Sequence, residues 1–292
     1  MTSGMMTAVV LAASLGLGFA ASAQEVTATP ADKSAYTLFN PTPDAQLRGF
    51  CTDRPTKSTG ACTVDAGRFQ VESDLFNFTV QRGDGVTTRT YLYTNPNLKI
   101  GVTDRLDLEL NLAPVVTVST HDENTRSHGS ITGIGDLYLR AKLNLMGDDS
   151  GDVALALVPY VKAPTARTGI GDGAWEGGVV VPVSVNLPDQ FSLGFDPEID
   201  WLKNAQNNGR HVNVANLVTL SRPVGAGITA SAELWADTNY EPTGQILQYS
   251  FDIGAAWIPT AHPTTQVDGG INFGLNRVTP GAQVYIGLSR RF

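Results

Sequence analysis

Leu106-Asp107-Leu108-Glu109-Leu110-Asn111-Leu112 alternates four leucines with two carboxylates and an amide, without a break. At a period of two, every leucine falls on one face of a β-strand and every polar group on the other. A helix would scatter the leucines around its circumference, so the periodicity excludes it. In a water-soluble sheet the leucines would face a core and the acids would face water. In a closed sheet inside a bilayer the leucines face lipid and the acids face a lumen. The rest of the chain decides between the two.

The same alternation recurs from Gly67 onward. Phe69, Val71 and Leu75 alternate with Gln70, Glu72 and Asp74, and a second segment spans residues 91–102, with a bulge expected at Pro96. After residues 106–118, Leu137, Leu139, Ala141, Leu143 and Leu145 alternate with Tyr138, Arg140, Lys142 and Asn144. Further segments follow to the terminal Phe292. They total about twelve strands, an even number as single-chain bacterial barrels require. The connections 103–105, 147–152, 188–190 and 222–227 are short, whereas 121–132, 164–174 and 203–210 are longer. Turns at one end and loops at the other suit a barrel, and a β-sandwich has no reason to sort its loops this way.

Charged residues are only 16% of the chain and the net charge is −8, which leaves no basic footprint for nucleic acid. The one long apolar run lies at the start and ends in Ala21-Ser22-Ala23, a small-x-small cleavage signature. Residues 1–23 therefore read as a signal peptide rather than an N-terminal anchor, although no Lys or Arg precedes the run. Nothing later is long enough to cross a bilayer as a helix, so a membrane reading requires a barrel. Residues 24–66 are rich in Pro, Thr, Ala and Asp and aperiodic, which suits a periplasmic extension or a partial plug. The barrel proper is 67–292. In an exported chain Cys51 and Cys62 are expected to close a disulfide loop rather than hold a metal. His121, His128, His211 and His262 form no pair at ligand spacing in the sequence.

Aromatic residues give a second test. Trp175, Trp201, Tyr249 and Phe273 fall on the apolar face near the longer loops, and Phe69, Phe191, Trp257 and Phe292 near the opposite ends. Two girdles at headgroup level are the expected arrangement. The last strand ends on Phe292, similar to the terminal signal by which outer-membrane barrels are recognised for insertion. Arg290 departs from the usual aromatic or aliphatic residue and is expected to snorkel to the interface.

Two stretches carry a family resemblance. Thr52-Asp53-Arg54-Pro55 with Val64-Asp65-Ala66-Gly67-Arg68-Phe69-Gln70-Val71-Glu72 resembles the entry segment of outer-membrane proteins named for the meta-pathway of phenol degradation. Gly133-Ile134-Gly135-Asp136-Leu137 and Ala163-Pro164-Thr165 resemble the same family's middle. The resemblance implies an all-β, antiparallel transmembrane barrel, integral to the outer membrane of a Gram-negative bacterium. It also implies that the barrel passes small molecules, aromatic or hydrophobic ones among them. The partners expected are outer-membrane lipid, the barrel-assembly machinery during insertion, and small solutes; no cofactor is expected.

By parity the inward set includes Glu72, Asp107, Glu109, Asn111, Arg140, Lys142, Lys162, Glu176, Asp196, Glu198, Glu233, Asp252 and Asp268. These side chains read either as a charge ladder bracing the interior or as an ion-lined path. A net-acidic path would favour cations. Pairing residues 106–112 with 137–145 leaves two registers open. One sets Glu109 opposite Lys142 and Asn111 opposite Arg140; the other sets Asp107 opposite Lys142 and Glu109 opposite Arg140.

The functional expectation is a passive channel. The alternatives are a non-conducting structural or adhesive barrel and a membrane hydrolase. For the last, His211 would need Asp200 or Asp237 beside it. Gly133-Ile134-Gly135 lacks the third glycine of a dinucleotide loop and precedes a strand, so it and the glycine-rich stretch 169–178 read as loops re-entering the barrel. Residues 147–152 read as a polar turn, without the spacing of a calcium loop.

Overall fold

The computed structural model describes residues 32–292. The expected signal peptide, residues 1–23, and the first part of the 24–66 segment lie outside them. Alternation builds one antiparallel sheet that closes on itself. Its strands are β1 (Phe69–Gly83), β2 (Val86–Gly101), β3 (Leu106–Leu112), β4 (Val115–Asp122), β5 (Ser127–Gly133), β6 (Leu137–Met146), β7 (Val153–Ala163) and β8 (Glu176–Val180). They continue with β9 (Val183–Asn186), β10 (Ser192–Lys203), β11 (Arg210–Gly225), β12 (Ile228–Asn239), β13 (Ile246–Trp257), β14 (Thr265–Gly274) and β15 (Ala282–Arg291). β15 pairs with β1 from Gln70↔Arg291 to Val80↔Ala282 and seals the barrel.

These fifteen segments make twelve barrel strands, because β3 with β4, β5 with β6, and β8 with β9 are each one interrupted strand. The interruptions have local causes. Pro114 and Pro182 lack the N–H that a ladder position needs, and each falls in a break. The break at residues 134–136 lies beside the one at Ala113-Pro114, and Gly135 N–H still donates to the Ala113 carbonyl at 2.8 Å. Gly133-Ile134-Gly135 is thus a kink within the barrel wall, not a loop re-entering the lumen. The expected bulge at Pro96 is displaced. The register shift on β2 falls between Leu92 and Thr94, where the strand changes partner from β4 to β3, and Pro96 stays in register with Ser73. On its other side Pro96 falls between the residues of β2 that pair with β4 and those that pair with β3.

Residues 121–132 were expected as a long loop, yet they form the ends of β4 and β5 around a four-residue turn. Both faces of this hairpin are polar or small, so a period of two leaves no apolar signature there. Loop sorting is correspondingly less sharp than the sequence implies. The turns at 84–85 and 123–126 are short although they lie at the far end, and 258–264 is a longer connection at the near end, where β1 begins and the chain terminates.

Burial settles which solvent each face of residues 106–112 meets. Asp107 and Glu109 are 1% and 4% exposed, whereas Leu108 and Leu110 are 47% and 38% exposed. This inverts a soluble protein, in which acids are rarely buried and leucines are. The exposed outer surface also carries Leu139, Leu143, Val161, Phe195, Ile199, Val218, Leu234 and Ile253. Trp175, Trp201, Tyr249 and Phe273 lie exposed at the far end of that belt, and Phe69, Trp257 and Phe292 at the near end. An uncovered apolar belt between aromatic rims is what lipid requires. Replacing Leu110 by arginine should therefore destabilise the vesicle-inserted barrel by about 2–4 kcal/mol. Denaturant titration of the protein folded into phosphatidylcholine vesicles would measure it, with an exposed far-end substitution such as Ser130→Arg expected to cost little.

Candidate functional site in the barrel lumen

The inner face of the strands and the chain that precedes them form one ionic network. Residues 48–66 enter the barrel and touch strands around its circumference. Asp53 accepts from Lys99 Nζ at 2.5 Å on β2 and from Lys142 Nζ at 2.7 Å on β6. Its own backbone N–H donates to Glu72 on β1 at 2.9 Å. The Arg54 guanidinium spans Asp74 at 2.6 Å and Asp268 at 2.7 Å. Lys57 meets Asp252 at 2.5 Å and Ser250 at 2.7 Å, while the N–H groups of Lys57 and Ser58 donate to Glu233. Thr59 N–H donates to Asp196, and Val64 N–H to both oxygens of Asp107. A disulfide joins Cys51 to Cys62 and closes this segment into a loop.

Nearer the barrel end, Arg48 pairs with Asp149 at 2.9 Å and Asp148 at 3.3 Å, and Lys33 with Asp149 at 2.5 Å. The acidic turn 147–152 thus turns its first two carboxylates to the N-terminal segment. Burial opposes the charge on Arg48 and Arg54, and the facing aspartates outweigh it, so both guanidinium pKa values are raised. Burial likewise opposes ionisation of Asp53, but Lys142 and Lys99 hold its carboxyl well below the usual range.

Of the two registers left open, the structure has Asp107↔Lys142 and Glu109↔Arg140. The directly opposed residues are nevertheless not the closest ionic partners. Lys142 reaches Asp53 and, diagonally, Glu109 at 3.7 Å; Asp107 is taken by Val64 N–H. Glu109 also accepts from Asn97 at 2.8 Å, and Asn111 donates to Asn95 and the Pro96 carbonyl. Lys162 gathers Glu176 at 2.6 Å, Asp172 at 2.8 Å and Asp136 at 3.6 Å. Glu198 and Arg140 line a cavity instead of pairing.

Lys99, Asp53, Arg54 and Lys57 were missed by parity reading, whereas Asp74 falls on the polar side of the 69–75 alternation. Lys99 alternates with Leu98 and Ile100, so its inward direction was available. The other segment residues lie in aperiodic sequence, where nothing but charge marks them. Gly287 clears their path, since a Cβ there would run into the Arg54 guanidinium.

Among the cavities that border the segment, two lie on opposite sides of it. One, of about 590 Å³, has Asp53, Lys57 and Thr59 on one side and Asn95, Asn111, Tyr138, Arg140, Tyr160 and Glu198 around it. Ile170 and Gly171 of the 164–175 loop also line it, so this glycine-rich loop does turn into the lumen. The other, of about 310 Å³, is lined by Cys51, Thr52 and Asp53 with Ser184, Ser192, Thr219, Ser221 and Ser231.

The hydrolase set does not form. His211 Nδ1 lies 2.9 Å from Asn204 Oδ1 and 3.4 Å from Glu241, while Asp200 and Asp237 both accept from Asn213. The nearest acid comes from a turn after β12 that parity does not assign. His121 and His128 do come together, stacked across the β4–β5 hairpin with ring centroids 4.1 Å apart; their separation in sequence hid a cross-strand pair. Phe292 closes the last ladder, its N–H donating to the Phe69 carbonyl at 2.8 Å.

A family model described by the MetA-pathway of phenol degradation matches residues 52–292. The chain belongs to this family. Its description names a pathway rather than an activity. No curated protein matches the sequence. Among solved structures, an outer membrane channel from Pseudomonas putida is similar with a TM-score of 0.60 at 16% identity, covering 77% of this chain and 95% of that one. NanC porin aligns with a TM-score of 0.48 at 10% identity over 76% and 98% of the two chains. The β domain of the Bordetella autotransporter BrkA gives 0.46 at 14% identity over 77% and 99%. The first likeness establishes that this family member has the fold of an outer-membrane barrel.

Replacing Asp53 by asparagine removes the counter-charge that Lys99 and Lys142 share, leaving Lys99 with Glu72 at 2.6 Å and Lys142 with Glu109 at 3.7 Å. Breaking a buried pair in this way costs up to about 3–5 kcal/mol. Residues 48–66 should then become open to trypsin at Arg48 and Lys57 in a barrel that still migrates as folded. Because the Asp53 pKa is depressed, its contribution is complete above the unfolded carboxylate value and is lost only as pH falls through the lower folded value. Wild-type protection should accordingly be unchanged between about pH 7 and about pH 5.

Proposed function

We propose that the protein is a passive outer-membrane channel for small solutes, with residues 48–66 forming its constriction. The observation that supports this most directly is the pair of polar cavities on either side of a segment held by ion pairs and hydrogen bonds. A lumen needed only for bracing gains nothing from unfilled polar volume, whereas a diffusion path needs water-filled space at both ends of a narrow zone. The lining suits a cation preference. Asp196, Glu198, Asp200, Glu233 and Asp237 form an acidic flank on β10 to β12 with no ion-pair partner among the described residues, and rings or walls of acids favour cations. The name of the family adds aromatic or hydrophobic compounds to the solutes worth testing.

The number of buried ion pairs also suits a second reading, a non-conducting structural barrel. Reconstitution of the folded protein into planar bilayers separates the two. The channel reading expects ohmic conductance with cations preferred to anions. It also expects the double variant Arg54→Gln, Lys57→Gln, which frees the segment from Asp74, Asp268 and Asp252, to conduct severalfold better. Silence from a heat-modifiable wild-type sample, with conductance appearing only in that double variant, would favour the closed structural barrel instead.

A further inference from the structure

The larger cavity has an unusual charge pattern. Six charged residues line it, and four are neutralised within the protein: Asp53 and Glu109 by Lys99 and Lys142, Lys57 by Asp252, and Asp136 by Lys162. Two remain. Arg140 on β6 has no ion-pair partner among the described residues and rests against the Tyr138 ring, its guanidinium carbon 5.7 Å from the centroid. Glu198 on β10, facing the same space, has no ion-pair partner either. In the same cavity, Tyr138 and Tyr160 lie with ring centroids 6.2 Å apart, and the Tyr160 hydroxyl is tied to Asp200 at 2.6 Å. Apolar side chains of Val116, Val158, Ile170 and Val180 complete the wall.

A guanidinium is built to hold a carboxylate through two parallel N–H bonds. Leaving one unpaired beside a cavity, when acids are plentiful in the same lumen, fits a ligand that brings its own carboxylate. A simple organic anion would meet Arg140 but be opposed by Glu198, and a simple amine would meet the reverse. A molecule with both charges satisfies both walls, and an apolar body fits the valines and tyrosine rings between them. The volume of about 590 Å³ lies within the range of small-molecule sites, about 300–1,000 Å³.

We propose that this cavity is a binding site for small zwitterions in which a carboxylate and an ammonium are joined by an apolar body, Arg140 holding the carboxylate and Glu198 the ammonium. The inference deepens the channel reading by naming a solute class, and rests on that reading only for passage, since binding itself needs no conductance. Glu109 and the Asp53 cluster would contribute shape and a fixed floor without competing for the ligand, because their charges are already met.

Three matched probes test it: phenylalanine, phenylacetate without the ammonium, and phenethylamine without the carboxylate. Calorimetric titration of the full chain in detergent at neutral pH should give phenylalanine an affinity at least about tenfold above either single-charge probe, the scale of one charge-assisted contact. R140Q should remove the advantage over phenethylamine, and E198Q the advantage over phenylacetate, in samples that remain heat-modifiable. Equal affinities for the three probes, no heat with any of them, or folded variants that bind as wild type would overturn the site. Should a variant fail to fold, the wild-type ranking of the probes decides alone. Phenylalanine binding in a barrel that does not conduct keeps the zwitterion site and removes the channel; conductance without phenylalanine binding removes the site and keeps the channel.

Discussion

The Asp53 carboxylate, shared between Lys99 and Lys142, is the contact on which the interior depends. Both lysines are almost completely buried on the inner face, and an ammonium in such a place costs several kcal/mol unless an acid meets it. Lys99 also meets Glu72 of β1 at 2.6 Å, whereas Lys142 has besides Asp53 only Glu109, at 3.7 Å. The wall therefore neutralises itself only in part. Lys99 and Lys142 share an acid from residues 48–66, and Asp74, Asp268 and Asp252 take Arg54 and Lys57 from the same segment. Around Lys142, Asp74, Asp252 and Asp268, wall and segment carry complementary charge, and neither is satisfied alone.

That exchange explains why the outer and inner faces of the strands obey different rules. Outside, the requirement is only that side chains be apolar, since lipid is indifferent to which leucine or valine it meets. Inside, each charge needs a particular partner at a particular height. Ladder geometry sets those heights: Lys99 stands opposite Glu109 on β3 and Gln70 on β1, while Lys142 stands opposite Asp107. The breaks at Ala113-Pro114 and residues 134–136 sit further along the barrel, where Ala113, Gly135 and Asp136 line the larger cavity.

What could be read from the sequence divides along the same line. The fold was legible because lipid imposes a period of two, and Leu106–Leu112 displays it without interruption. The inward direction of Asp107, Glu109, Arg140 and Lys142 followed from the same parity. Pairing was only half legible. The register is one of the two that match acids to bases, yet the realised partners of Lys142 and Asp107 come from residues 53 and 64, dozens of positions away in a stretch with no periodicity. Backbone N–H donors such as those of Lys57, Ser58 and Thr59 carry no side-chain signal at all. The β4–β5 hairpin was lost for a related reason: where a strand leaves the bilayer, neither face must be apolar, and the alternation that identifies a strand vanishes.

The nature of the fastening also bears on what the segment can do. A plug secured by apolar burial would release only by exposing that surface to water, at a cost proportional to its area. Residues 48–66 are secured instead by charge pairs and backbone-to-carboxylate hydrogen bonds, in a lumen with polar volume on both sides. Water and mobile ions can replace such partners one at a time, so displacement runs through partly detached states rather than a single step. The Cys51–Cys62 disulfide limits that freedom by making the segment move as a loop whose ends stay close. Ionic attachment with a covalent limit fits the constriction proposed above, whereas a purely structural filler would be served better by leucine than by Arg54.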